Sequence, residues 1–151
     1  MKILLLGSSG QLGWELSRTC PVNIELLTCD YPEIDFLRPE TIRRCIRETS
    51  PGWIINAAAY TLVDQAEKEK DTAFRINHEA VLEIARVAGE NDIRFVHIST
   101  DYVFSGRHFK PWTPEDPTLP ESVYGASKLK GEQACREILK NRVLIIRTAW
   151  L

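Results

Sequence analysis

The chain opens with Met1-Lys-Ile-Leu-Leu-Leu-Gly-Ser-Ser-Gly-Gln-Leu-Gly13, a short apolar run followed by three glycines spaced three residues apart. The run does not alternate with polar residues, which is typical of a strand buried on both faces of a parallel sheet. Gly7 would permit a tight turn from strand to helix, Gly10 would let the backbone approach a pyrophosphate, and Gly13 would let the helix pack closely on the strand. An ordinary glycine turn is the alternative, but the strand before the glycines and the acid after them favour a dinucleotide site.

That acid is Asp30, which closes the next apolar run at residues 24–27. An acid at this distance from the glycines accepts the ribose 2′-hydroxyl of a dinucleotide and favours NAD over NADP. A carboxylate in a surface loop is the alternative, and Arg38 lies close enough in sequence to complicate the choice between the two cofactors. We expect Asp35 and Phe36 to flank the adenine.

Strand-like and helix-like segments alternate along the whole chain. We expect strands at 2–6, 24–29, 53–56, 94–99 and 143–148, and helices at 11–19, 39–49, 71–89 and 123–140. This alternation predicts an α/β fold with a doubly wound parallel sheet of the Rossmann type. Because the chain stops directly after the last predicted strand, we interpret residues 1–151 as a dinucleotide-binding domain without its substrate-binding C-terminal region. Residues 101–122 form a long irregular segment with four prolines, which would suit an active-site cover.

Composition argues against several classes of function. The 151 residues amount to about one domain, 44% of them are hydrophobic, and the net charge is -2. A core can therefore form, and neither nucleic acid nor a membrane is an expected partner. No apolar run approaches the roughly 18 residues of a membrane span, and no signal peptide is visible, which predicts a cytoplasmic protein. The four cysteines lack metal-ligand spacing, so we expect free thiols and no metal site.

Tyr124-Gly-Ala-Ser-Lys128 places a phenol and an ammonium on one face of a predicted helix. A free tyrosine has a pKa of about 10 and is a poor acid or base near neutral pH. A nearby ammonium would lower that pKa by stabilising the phenolate, and the lysine could also hold the nicotinamide ribose. A chance Tyr–Lys pair is the alternative. Combined with the glycine turn, the pair predicts a nicotinamide-dependent oxidoreductase that uses tyrosine as its acid or base.

Two further strands end in residues suited to a site, because ligands bind at the carboxyl edge of open α/β sheets. Ser99 and Thr100 follow one strand, and we prefer Thr100 as the hydroxyl that would bond a substrate carbonyl. A hydroxyl that only caps a loop is the alternative. Ala57, Ala58 and Ala59 follow another strand and are small enough for a cofactor to lie against the backbone, although tight core packing would use them as well.

Other polar residues have simpler interpretations. The charged run at residues 64–71 is typical of a solvated helical face. Asn77 lies in the helix that follows, where its amide could brace the site from inside or equally well lie on the surface. We expect His97 to pack within its strand.

Taken together, these segments resemble the dTDP-4-dehydrorhamnose reductase family of extended short-chain dehydrogenases/reductases. The resemblance runs over all 151 residues, and its specific pieces are Gly7-Ser-Ser-Gly-Gln-Leu-Gly13, Asn56-Ala-Ala-Ala-Tyr-Thr61, Val63-Asp-Gln-Ala-Glu67, Ser99-Thr-Asp-Tyr-Val-Phe104, Tyr124-Gly-Ala-Ser-Lys-Leu-Lys-Gly-Glu132 and Arg147-Thr-Ala-Trp150.

The resemblance implies that a hydride passes from NADPH or NADH to the 4-keto group of dTDP-4-dehydro-β-L-rhamnose, forming dTDP-L-rhamnose in the last step of its biosynthesis. Thr100, Tyr124 and Lys128 would be catalytic. The cofactor would contact Gly7, Gly10, Gln11, Leu12, Gly13, Asp30, Asp35, Phe36, Ala57, Ala58, Ala59, Tyr124 and Lys128. The nucleotide-sugar substrate would contact Thr61, Val63, Thr100, Asp101, Tyr102, Tyr124 and Trp150.

The resemblance also implies a homodimer as a candidate assembly, and some family members use Mg²⁺ at a dimer contact. No ligand cluster is visible here, so such a site would lie outside this sequence. Two alternatives stay open. One is another nucleotide-sugar reductase or epimerase, which would keep the same Tyr–Lys pair. The other is a non-catalytic NAD(P)-binding regulatory subunit resembling that of methionine adenosyltransferase.

Overall fold

A five-stranded parallel sheet forms the centre of the computed structural model, which describes residues 1–149. Its strands run in the order β2-β1-β3-β4-β5, and all four neighbouring pairs are parallel. The strands are β1 (Lys2–Leu6), β2 (Glu25–Cys29), β3 (Trp53–Asn56), β4 (Arg94–Thr100) and β5 (Val143–Thr148). The predicted α/β fold is confirmed, and each predicted strand lies within one residue of its observed bounds.

Helices connect the parallel strands. They are α1 (Gln11–Arg18), α2 (Pro39–Thr49), α3 (Val63–Ala66), α4 (Lys70–Phe74), α5 (Ala80–Glu90) and α6 (Val123–Leu139), with short 3₁₀ turns at Asp101–Val103 and Lys140–Arg142. Local sequence explains several ends: Pro39 occupies the first turn of α2, and the Ser122 hydroxyl caps α6 by accepting from the Gly125 N–H at 3.0 Å.

The predicted helix at 71–89 is not uniform. Residues 70–90 are helical throughout, but Arg75–Glu79 form a π-helical turn between α4 and α5. A π turn inserts one extra residue per turn and is found often at functional sites. Here it accompanies the inward rotation of Asn77, which is buried. The charged residues at 64–71 are exposed, in agreement with the solvated face that the sequence predicts.

The core lies between the sheet and the helices α2, α5 and α6. β1 supplies Leu4, Leu5 and Leu6, all fully buried, because the strand is central and covered on both faces. The largest other buried apolar side chains are Ile34, Ile42, Ile46, Ile54, Ile84, Phe95 and Leu139. Crossover handedness places α1 alone on the opposite face of the sheet.

This topology determines where a ligand can bind. The connections from β1 and β3 leave in opposite directions, so a crevice opens at the carboxyl ends of these adjacent strands. In residues 1–149, no helix has the length and apolar character needed to cross a bilayer. All four cysteines lie in this range and are free thiols, as the sequence predicts.

Candidate active site

A cavity of about 590 Å³ occupies the crevice at the carboxyl edge of the sheet. It is lined by the ends of β4 and β5, by the segments that follow β1, β2, β3 and β4, and by α1 and α6. The lining residues are Gly7, Ser9, Gly10, Gln11, Leu12, Asp30, Ala57, Ala58, Ala59, Thr61, Val63, Ile98, Ser99, Thr100, Asp101, Tyr102, Tyr124, Lys128 and Thr148. The glycine turn and the Tyr–Lys pair, more than 110 residues apart in sequence, therefore share one cavity.

The glycine turn has the tight geometry that the sequence predicts. Gly7 adopts φ +80°, which disfavours any residue with a side chain, and a Cβ there would lie 2.6 Å from the Ala58 nitrogen. A Cβ on Gly13 would overlap the carbonyl of Gly7, so α1 packs against the end of β1 only because Gly13 has no side chain. At Gly10 the space is open: a Cβ would meet only the Gly7 oxygen, at 3.5 Å.

Asp30 is held beside this turn by two backbone amides. One carboxylate oxygen accepts from the Ser9 N–H at 2.8 Å and the other from the Tyr31 N–H at 3.0 Å. Partial burial raises the pKa of Asp30, but the hydrogen bonds from Ser9 and Tyr31 outweigh burial and the net pKa lies below its ordinary value. Asp30 is therefore an ionised acceptor at neutral pH.

Asp35 and Phe36 are not among the residues that line the cavity. The Asp35 carboxylate accepts from the Leu37 N–H at 2.9 Å and lies 3.4 Å from the exposed Arg38 guanidinium, so it is engaged in its own turn. Phe36 packs against the hydrophobic core, where its ring is partly buried. A contact of either residue with adenine stays a prediction.

The Tyr124 ring forms one wall of the cavity, close to the start of α6. It packs edge-on against Tyr102, with ring centroids 5.6 Å apart. Burial raises the pKa of Tyr124, the Thr100 hydroxyl beside it acts to lower that pKa, and Asp101 and Tyr102 act to raise it. The net pKa lies above the ordinary value, so Tyr124 is fully protonated at neutral pH.

The sequence-based expectation of a lowered Tyr124 pKa is therefore wrong. Burial raises this pKa, and the Lys128 ammonium donates to the Ile98 carbonyl at 2.7 Å. Lys128 is buried, with 2% of its surface exposed, and this burial lowers its pKa to about 8 although Glu132 and Cys135 act to raise it. For each of the two side chains, burial is the largest influence on the pKa.

Thr100 and Ser99 both line the cavity but differ in their contacts. The Thr100 hydroxyl donates to an Asp101 carboxylate oxygen at 3.2 Å and accepts from the Tyr102 N–H at 3.2 Å. The Ser99 hydroxyl is buried and finds no partner within residues 1–149. The Thr100 oxygen is thus oriented by the backbone and lies beside the Tyr124 phenol, an arrangement that suits two donors converging on one carbonyl oxygen.

The chain is similar to proteins of one known family. Residues 1–151 match the family described as the RmlD substrate binding domain. The chain belongs to this RmlD family. It is 44% identical over its whole length to dTDP-4-dehydrorhamnose reductase of Burkholderia thailandensis and 43% identical to that of Escherichia coli, covering 50% and 52% of those proteins.

Solved structures of RmlD-family relatives agree with the fold. The crystal structure of a dTDP-4-dehydrorhamnose reductase from Clostridium acetobutylicum matches 99% of this chain and 54% of its own, with a TM-score of 0.94 and 36% identity. The crystal structure of dTDP-4-dehydrorhamnose reductase from Bacillus anthracis in complex with NADP matches 99% of this chain and 53% of its own, with a TM-score of 0.94 and 35% identity. The chain spans about half the length of these relatives.

The RmlD-family chain also has lining residues that sequence analysis did not predict. Ser9 lies inside the glycine turn, Ile98 and Ser99 precede Thr100, and Thr148 ends β5. The sequence does carry a signal for Thr148, because this residue, like Thr100, is a hydroxyl at the carboxyl end of a predicted strand. The predicted substrate residue Trp150 lies outside the described residues.

Asn77 shows how the RmlD-family site is supported from beneath. Its amide accepts from the Tyr60 N–H at 2.9 Å and donates to the Tyr60 carbonyl and the Ser127 hydroxyl, each at 3.0 Å. Asn77 is 1% exposed, so the inward alternative is correct. It joins the segment after β3 to α6, between the two halves of the cavity wall.

Proposed function

We propose that this protein is a reductase that transfers a hydride from NADPH or NADH to the 4-keto group of dTDP-4-dehydro-β-L-rhamnose, forming dTDP-L-rhamnose. The observation that carries the proposal is the single cavity in which the glycine turn and Asp30 face Thr100, Tyr124 and Lys128. The two relatives at 43% and 44% identity are dTDP-4-dehydrorhamnose reductases, which supports the same substrate class.

The residues around the glycine turn fit a dinucleotide. Gly10 leaves its backbone open to the cavity, and α1 directs its free N–H groups and positive end toward the space where phosphates would lie. The ionised Asp30 suits a ribose hydroxyl, and the small residues Ala57, Ala58 and Ala59 leave room along the floor. The Bacillus anthracis relative was solved with NADP.

Because the Asp30 carboxylate favours a free 2′-hydroxyl, while the relative solved with NADP has bound a 2′-phosphate, we propose that the protein accepts both NADH and NADPH.

Gly10→Ala is expected to weaken NADPH binding by about tenfold or more while leaving the fold intact. The added methyl group would meet only the Gly7 oxygen at 3.5 Å, an ordinary contact, but it would occupy the approach path of the phosphates. Fluorescence titration with NADPH and thermal unfolding of the same sample would separate the two effects. Unchanged affinity would show that the phosphates do not pass over Gly10.

When bound, the reduced nicotinamide supplies the hydride. Tyr124, whose raised pKa keeps it protonated, donates its proton to the oxygen at C4 as negative charge develops there. The Thr100 hydroxyl, which accepts from the Tyr102 N–H, would turn its proton from the Asp101 carboxylate to the same oxygen and position the carbonyl. Lys128, whose ammonium donates to the Ile98 carbonyl and lines the same cavity as Tyr124, would hold the ribose.

The sugar is proposed to lie against the outer part of the cavity, which Thr61, Val63, Asp101 and Tyr102 line. Residues 1–151 would form the dinucleotide-binding domain, and a region beyond them would bind the rest of the nucleotide sugar, in line with the half-length coverage of the relatives. We place the protein in the cytoplasm. A homodimer and a Mg²⁺ site stay predictions, and within residues 1–149 no three His, Cys, Asp or Glu side chains are grouped to hold a metal ion.

The proposal is tested by NADPH and NADH consumption with dTDP-4-dehydro-β-L-rhamnose, compared with other 4-keto nucleotide sugars, and by identification of the product. Conversion to dTDP-L-rhamnose at a higher kcat/KM than for the other sugars would support it. Cofactor binding without turnover of any sugar would instead favour a regulatory NAD(P)-binding subunit, an alternative that the reductase relatives do not favour.

A further inference from the structure

A buried ion pair lies directly behind the catalytic face of α6. The Glu132 carboxylate, 1% exposed, accepts from the Arg147 guanidinium of β5 through two bonds of 2.9 and 2.7 Å. A third charge, Arg136, lies 3.8 Å away. Burying such a pair offers little net stability, because an apolar pair of similar volume is often as stable or more so. Stability of the fold therefore does not explain why charges occupy this position.

Arg147 connects this pair to the cavity wall. Its guanidinium lies over the Phe104 ring at 4.8 Å from the centroid, and one of its nitrogens donates to the Pro114 carbonyl at 3.4 Å. Phe104 in turn stacks on Trp112, with centroids 4.7 Å apart. These contacts tie the 101–122 segment to β5, and the first residues of that segment form the wall that faces the substrate.

Glu132 also acts on Lys128, one helical turn before it on the same face of α6. The titratable groups that interact with the Lys128 ammonium are Glu132 and Cys135 from α6 and His97 from β4. His97 is fully buried, and burial together with Lys128 lowers its pKa well below the ordinary value, so it is neutral. Glu132 is the carboxylate that opposes deprotonation of Lys128.

We propose that Glu132 is a positioning residue for the reduction: through its two hydrogen bonds with Arg147 it holds the 101–122 segment against the site, and its carboxylate balances the charge of the Lys128 ammonium one helical turn away on α6. This inference rests on the proposed function. It assigns a task to a charge pair that does not line the cavity.

The test is Glu132→Gln, compared with Glu137→Gln, which removes an exposed carboxylate from the same helix. NMR of the protein with ¹³C-labelled lysine, assigned with a Lys128→Met variant, reports the titration midpoint of Lys128. We expect Glu132→Gln to lower that midpoint by about one pH unit, and to move the alkaline fall of kcat/KM to the same lower pH. Glu137→Gln should move neither.

A second variant is included in case Glu132→Gln does not fold. The double change Glu132→Met and Arg147→Met replaces the pair with apolar side chains, so its melting temperature should equal or exceed that of the wild type. We expect it to show the lowered Lys128 midpoint and a loss of about 10- to 100-fold in kcat, because the cavity wall is no longer held in place.

An unmoved Lys128 midpoint in both variants would overturn the inference and leave Glu132 as a packing residue. Absence of turnover in the wild type with every nucleotide sugar would overturn the proposed function, and the role in reduction with it. The two failures are distinguishable because the Lys128 titration is measured without substrate or turnover.

Discussion

Replacing Tyr124 with Phe is expected to lower kcat by about 10²- to 10⁴-fold while leaving NADPH affinity within about twofold of the wild type. The hydroxyl is the group that would protonate the reduced sugar, and the aromatic ring that packs on Tyr102 would stay in place. Because the pKa of Tyr124 is raised, the phenol carries its proton at neutral pH and can donate it when the sugar is reduced.

Steady-state turnover and NADPH titration on the same preparation would measure this effect. Tyr60→Phe is the matched control, because it also removes a phenol hydroxyl, one that donates to the exposed Glu69 at 2.8 Å and lies outside the cavity lining. Comparable losses in both variants, or turnover retained by Tyr124→Phe, would rule out Tyr124 as the proton donor.

Gly13→Ala is expected to reduce the free energy of unfolding by about 3 kcal/mol or more, the upper end of the range for overpacking. The new methyl group would overlap the Gly7 carbonyl and crowd the Ser8 backbone at 2.7 Å, and neither can yield like the end of a flexible side chain. Helix α1 would have to move away from β1, which would also displace the glycine turn and abolish NADPH binding.

Urea unfolding monitored by circular dichroism would measure the loss. Gly52→Ala provides the control, since a Cβ there would meet the Lys2 carbonyl at an ordinary 3.7 Å, and it should change stability by less than about 0.5 kcal/mol. A Gly13→Ala protein as stable as Gly52→Ala would mean that α1 does not depend on close approach to the turn.

The strands were predictable because buried parallel strands consist of short apolar runs with breakers on both sides. Ser50-Pro51-Gly52 before β3 and the glycines after β1 are local signals, and they need no knowledge of distant residues. Most of the cavity residues were predictable for a related reason. In a parallel sheet all carboxyl ends share one edge, so a residue that follows a strand is placed near the others by topology alone.

The π-helical turn at Arg75–Glu79 was not predictable in this way. Residues 70–90 have a continuous helical pattern, whereas the side chain of Asn77 in the turn bonds the backbone N–H of Tyr60 and the hydroxyl of Ser127 in α6. An asparagine in a helix is compatible with a solvent-exposed or an inward position, and the choice depends on partners 17 and 50 residues away.

Sequence by itself thus determined the order of strands and helices, the glycine turn and the set of side chains that meet at one edge, because these follow from local pattern and from the geometry of parallel sheets. Tertiary structure alone decided the electrostatics. It directs the Lys128 ammonium to the Ile98 carbonyl, buries Tyr124 so that its pKa rises, and pairs Glu132 with Arg147. Desolvation and charge pairing depend on what surrounds a group in space, which spacing along the chain does not specify.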